Sequence, residues 1–105
     1  MSNQIKTVKG QLLDISGNEV LLEIMVEIEL ILSQNDIPQY QVFGSIKSYR
    51  PDLSDKSHTL KLNEQISGEV FISIDGLPDV TETRYRIYLQ GDSWNNLEWF
   101  TSLPS

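Results

Sequence analysis

His58 is the one histidine of the chain, with Ser57 beside it and Asp55 three positions earlier. These are the residue types of a nucleophile, a base and an orienting acid, and the chemistry they could do is acyl transfer. Their spacing argues against it. Neighbours on an extended segment point to opposite sides, whereas a triad needs side chains converging from separate elements. With a single histidine and no cysteine, the chain also has no His- or Cys-based metal site. We read His58 as a structural residue at the start of a strand and expect no catalytic residue here.

Carboxylates are the second source of chemistry. Glu23, Glu27 and Glu29 share a face whether their segment is a helix or a strand. Paired carboxylates can act as acid and base or hold a hard cation. The context for either is missing: Asp75-Gly76 with Asp79 is a turn with two acids, not a calcium loop. The sequence contains no phosphate-cradling glycine loop and calls for no cofactor or metal.

Aromatic and arginine side chains are the third. All nine aromatics lie from Tyr40 onward, and five of them (Tyr85, Tyr88, Trp94, Trp99, Phe100) fall within sixteen residues. In TRYRIYLQ, Arg84, Arg86 and Tyr88 alternate against Tyr85, Ile87 and Leu89 and so share an outward strand face. Trp94 sits in the turn GDSWNN, where a buried indole is unusual. Trp99 and Phe100 are adjacent in an expected last strand, Leu97 to Thr101, where only one of them can face the core. The alternative to ordinary core packing is a binding face of Arg84, Arg86, Tyr88, Trp94 and Trp99, because Trp, Tyr and Arg are enriched at binding hot spots.

The elements that must position these groups are organised around Val20 to Leu32, VLLEIMVEIELIL, with ten apolar residues in thirteen. Period two puts Ile24, Val26, Ile28, Leu30 and Leu32 on one face. Period 3.6 gives an equally good stripe, with Glu19, Glu23 and Glu27 opposite. The flank decides for strand: Gly17-Asn18 is hairpin-turn chemistry, and glutamates at i, i+4 repel on a helix. Further strands are expected at Ile5–Ile15, Tyr40–Tyr49, His58–Leu62, Glu69–Ile74 and Thr83–Gln90. Turns lie between them at Ser33–Gln39 and Asp75–Asp79, and Arg50–Ser57 is the longest polar connection. An internal Gly44 marks a bulge or a close approach of another strand. The fold class is all-β, a single-domain antiparallel barrel or sandwich of about 6–7 strands. The alternative is α+β with Val20–Leu32 helical.

Fifteen acids against eight bases give a net charge of −7, which disfavours nucleic acid and anionic membrane as partners. Between Gly10 and Ile46 there are six acids and no Lys or Arg. The longest apolar run is too short and too interrupted to span a bilayer. Met1 to Gly10 does not resemble a signal peptide, so a cytoplasmic protein is expected. The functional expectation is a non-enzymatic protein-interaction module of the accessory, inhibitor or immunity type. Its partner is another protein or a second copy, with the long central strand pairing across a homodimer. The alternatives are a small-molecule or lipid carrier with a barrel cavity, and an acidic nucleic-acid mimic acting through Glu23, Glu27 and Glu29.

Overall fold

A computed structural model describes residues 4–32, 34, 37–47, 50–76 and 82–104. Among these, six strands form: β1 (Gln4–Leu13), β2 (Val20–Leu32), β3 (Pro38–Ile46), β4 (Lys56–Lys61), β5 (Ser67–Ile74) and β6 (Thr83–Leu89). They close into one antiparallel barrel in the order β1-β2-β3-β6-β5-β4. Closure decides between the barrel and the sandwich. It comes from β4 returning beside β1, through Gln11↔Lys61 to Leu13↔Thr59. The spatial order β4-β1-β2-β3 is a Greek key.

β2 is a strand because its burial alternates with period two. Ile24, Val26, Ile28 and Leu30 are buried, while Glu23, Met25 and Glu27 are exposed. Each fully buried aliphatic side chain contributes about 1.5–3 kcal/mol. The hairpin into β2 turns at Gly17, whose φ is +77°, a region L side chains rarely adopt. Asp14 holds the same turn. Its Oδ1 accepts from the Asn18 and Glu19 N–H groups (2.9 and 3.1 Å), and its Oδ2 accepts from Ser16 Oγ (2.9 Å).

Gly44 is a close approach and not a bulge, since the β2–β3 and β3–β6 registers run through it without a shift. A Cβ there would lie 2.5 Å from Ile24 Cδ1 and 2.9 Å from Ile87 Cδ1. Only a residue without a side chain lets those two isoleucines meet in the barrel interior.

Each end of the barrel carries a plug. At one end a 3-10 turn, Pro51–Leu53, buries Leu53, and the Tyr85 hydroxyl donates to Arg50 O (3.1 Å). The expected polar loop is therefore anchored by one leucine. The other end holds a second 3-10 turn, Asp92–Trp94, and a short helix, α1 (Glu98–Thr101).

The helix overturns the expected seventh strand at Leu97 to Thr101. The barrel is closed by β1 and β4 without this segment. A helical turn instead sends Trp99, Phe100 and Leu103 inward together. Lys6 fastens this plug: its ammonium donates to Phe100 O and Leu103 O, both at 2.8 Å.

The central strand is flanked on both sides over its middle. From Met25 to Leu30, β2 is paired with β1 on one side and β3 on the other, so that stretch has no free edge to offer a second copy. Parts of the expected turns at Ser33–Gln39 and Asp75–Asp79, and the end of the expected Tyr40–Tyr49 strand, lie outside the described residues.

Candidate functional site

Strand alternation places Arg84, Arg86 and Tyr88 on the outside of β6, with Thr83, Tyr85 and Ile87 buried. Register then brings a residue from the neighbouring strand among them. Phe43 of β3 pairs with Arg86, and Ser45 pairs with Arg84. The Arg84 guanidinium carbon stands 4.0 Å from the Phe43 ring centre, and that of Arg86 stands 5.7 Å from it. Arg86 is also 5.6 Å from the Tyr88 ring, and Tyr88 faces Phe71 of β5 at 6.4 Å. The outer face of β3, β6 and β5 is thus a continuous aromatic and arginine stripe, with Tyr88 47% exposed.

The two arginines differ electrostatically. Arg84 Nε lies 3.6 Å from the Asp75 carboxylate. Among the described residues no carboxylate comes within 4 Å of Arg86. A guanidinium held against two aromatic faces keeps its in-plane N–H donors open for a carboxylate or phosphate.

Beside Arg86 the barrel wall opens. The β3–β6 pairing ends at Val42↔Ile87, although β3 extends back to Pro38 and β6 runs on to Leu89. The gap is a groove of about 660 Å³ lined by Pro38, Gln39, Gln41, Arg86, Tyr88 and Trp94, among others. At this end of the barrel, the Tyr40 hydroxyl donates to Asn96 O (3.0 Å) and its ring centre lies 4.6 Å from that of Trp99. Partial burial raises the pKa of this hydroxyl above its ordinary value.

Trp94 and Trp99 do not join the exposed stripe, which corrects the expectation for both. They are 4% and 5% exposed. Trp94 Nε1 donates to Glu69 O (2.9 Å), and Trp99 Nε1 donates to Trp94 O (3.1 Å). The two rings meet edge to face at 5.0 Å. Gly68 makes room for this, because a Cβ there would lie 2.8 Å from Trp94 Cε2. Phe43 and Phe71 take the outward aromatic positions, and their alternation with Val42 and Gly44 and with Val70 and Ile72 was the signal available for them.

Glu23, Glu27 and Glu29 line the outside of β2 in a row. Residues two apart on a strand are about 6.6 Å apart, so these carboxylates line up without converging. Glu23 is paired with Lys9 at 3.1 Å. Among the described residues no three His, Cys, Asp or Glu side chains gather as a metal site would need. His58 is 5% exposed and points inward, with Nε2 3.0 Å from Leu53 O and no partner at Nδ1 among the described residues. Ser57 lies on the opposite face of β4 and Asp55 is exposed, so the three do not assemble.

A small closed antiparallel barrel with an arginine-centred groove in its wall is the class that fold and site define. No protein-family model matches the chain, and comparisons with curated proteins and with solved structures return no match.

Proposed function

We propose that the protein is a non-enzymatic interaction module that binds a partner protein through the outer face of β3, β6 and β5. The observation that carries this reading is Arg86. It is held between Phe43 and Tyr88 on an exposed face, with no carboxylate of the described chain within ion-pair distance. Packed aromatics beside an unpaired guanidinium are the composition of an interface hot spot. The inward positions of the strands carry well-buried side chains such as Val26, Ile28, Leu60, Val70 and Ile72, which favours a surface role over a ligand carried inside the barrel. A cysteine-free barrel held by packing alone suits a reducing compartment, in keeping with a cytoplasmic module.

The test is site-specific photo-crosslinking in cells. A photoreactive residue in place of Tyr88 should yield one discrete adduct, and the adduct should fade when Arg86→Ala is added. The same group in place of Thr7, exposed on β1, should not yield it. Equal labelling from both positions, or none from position 88, would remove the reading.

A further inference from the structure

We infer that the gap between β3 and β6 is a strand-addition site for an extended, acidic segment of a partner protein. This rests on the interaction-module reading and names the partner's chemistry. The argument begins with main-chain hydrogen bonds. Gln39, Tyr40 and Gln41 pair on one side with Ile31, Leu30 and Glu29 of β2. Tyr88 and Leu89 pair on one side with Phe71 and Val70 of β5. Across the gap neither segment pairs with the other, since the β3–β6 ladder stops at Val42↔Ile87. Two strand edges therefore face a groove of about 660 Å³. An unpaired edge is a template for another extended chain, through the alternate N–H and C=O groups it presents.

The length fits a short segment. Pro38 to Gln41 spans four positions of β3, about 13 Å at strand rise, of which Pro38 and Tyr40 turn their main-chain groups to the gap. Pro38 has no N–H and closes the donor series at that end. A segment added to β3 alternates its side chains between two environments. Outward ones lie beside Arg86 and Gln41, and inward ones lie toward Tyr40, Leu89 and the edge of Trp94. Arg86 sets the charge of the outward ones. The segment is expected to alternate Asp or Glu with a compact apolar residue, and to lack proline where it bonds to the edge. A second copy of this chain does not supply that strand from its acidic ridge, because β2 is paired on both sides from Met25 to Leu30.

The experiment selects random linear peptides displayed on phage against the intact chain, in parallel with the Arg86→Ala variant checked for an unchanged circular dichroism spectrum. Enrichment of acidic, proline-free sequences on the wild-type chain alone is the expected result. The synthetic form of the leading peptide should bind about tenfold more weakly to Arg86→Ala, the loss of one charge-assisted contact. Methylating alternate main-chain nitrogens of that peptide should weaken it roughly fivefold in one phase and little in the other, because only one set bonds to the edge. Amide exchange should slow at Tyr40 and Leu89, whose N–H groups face the gap.

Basic or proline-rich winners overturn the inference, and so does indifference to methylation in both phases. Light scattering that shows a dimer lost in Arg86→Ala overturns it too, in favour of a second copy. A crosslinked partner at position 88 without enriched peptides would end strand addition and leave the interaction surface standing. Enriched acidic peptides without a crosslinked partner would do the reverse.

Discussion

The contrast between Trp94 and Arg86 shows how side chains from one third of the chain divide between folding and recognition. Trp94 fills the space above Gly68 and spends its N–H on Glu69 O. Trp94→Ala should therefore cost about 3–5 kcal/mol of stability, as large core truncations do. Arg86→Ala removes only half-exposed ring contacts and should cost less than about 1 kcal/mol. Urea unfolding followed by circular dichroism separates them, and equal losses would place Arg86 in the structural framework. Alternation in TRYRIYLQ made Arg84, Arg86 and Tyr88 legible as outward residues. Trp94 was not legible, because a turn has no periodicity to say which of its side chains points inward. Its burial depends on Gly68, 26 positions earlier, and nothing local links the two.

Single side chains also tie whole elements down. Lys6 reaches from β1 to the carbonyls of Phe100 in α1 and Leu103 two residues beyond its end, adding to the bond Phe100 O accepts from the Leu103 N–H (3.2 Å). Its ammonium also lies 4.8 Å from the Phe100 ring centre. Lys6→Met keeps most of the stem but loses these contacts, at a cost of about 1–2 kcal/mol. The plug should loosen first: amide exchange over 98–103 should quicken and Trp99 fluorescence should shift to the red, with the strand amides unchanged. Uniform quickening across the barrel would show that the plug and the barrel open as one unit.

The β1–β2 hairpin has a device of its own. Backbone donors from Glu19 and the Ser16 hydroxyl hold the Asp14 carboxyl below its ordinary range. The Arg50 guanidinium does the same for Asp52. A carboxylate whose pKa is lower folded than unfolded contributes stability above the unfolded value of 3.8, and that contribution is lost as pH falls through the folded value. Stability should therefore decline from about pH 4 downward, and less steeply in Asp14→Asn; an unchanged slope in that variant would remove Asp14 from the account. The hairpin was legible from Gly17-Asn18, and β2 from its alternation. LEWFT carries strand-favouring residues yet forms the last helix, because a helical turn buries Trp99, Phe100 and Leu103 together.

At the scale of the whole molecule, the sequence conveyed the fold class but not its closure. Which strand lies beside which is decided by pairings distant in sequence, such as Val42 with Ile87 and Leu12 with Leu60, and local patterning does not carry that information. The groove exists because of one such pairing that stops short, so it was invisible from the sequence as well. Closure also fixes where the charges stand. The glutamate ridge of β2 and the arginines of β6 lie on either side of β3, about 9.6 Å apart at two strand spacings, on a molecule of 39 × 29 × 23 Å.

An acidic segment approaching Arg86 therefore meets two opposed fields. At about 0.01 M salt the screening length is about 30 Å, comparable to the whole molecule, and the net charge of −7 repels the segment. At about 0.1 M it is about 10 Å, so the arginines act while most of the remaining charge is hidden. Near 1 M it is about 3 Å and the attraction fades too. The association rate of a selected acidic peptide, measured by stopped-flow fluorescence, should pass through a maximum at intermediate salt. Glu27→Gln should raise the low-salt limb and leave the high-salt limb alone, because Glu27 stands in the adjacent ridge and is exposed. A rate that falls steadily from the lowest salt upward would show that the arginines outweigh the net negative charge even when it is unscreened, and would remove the account of two opposed fields.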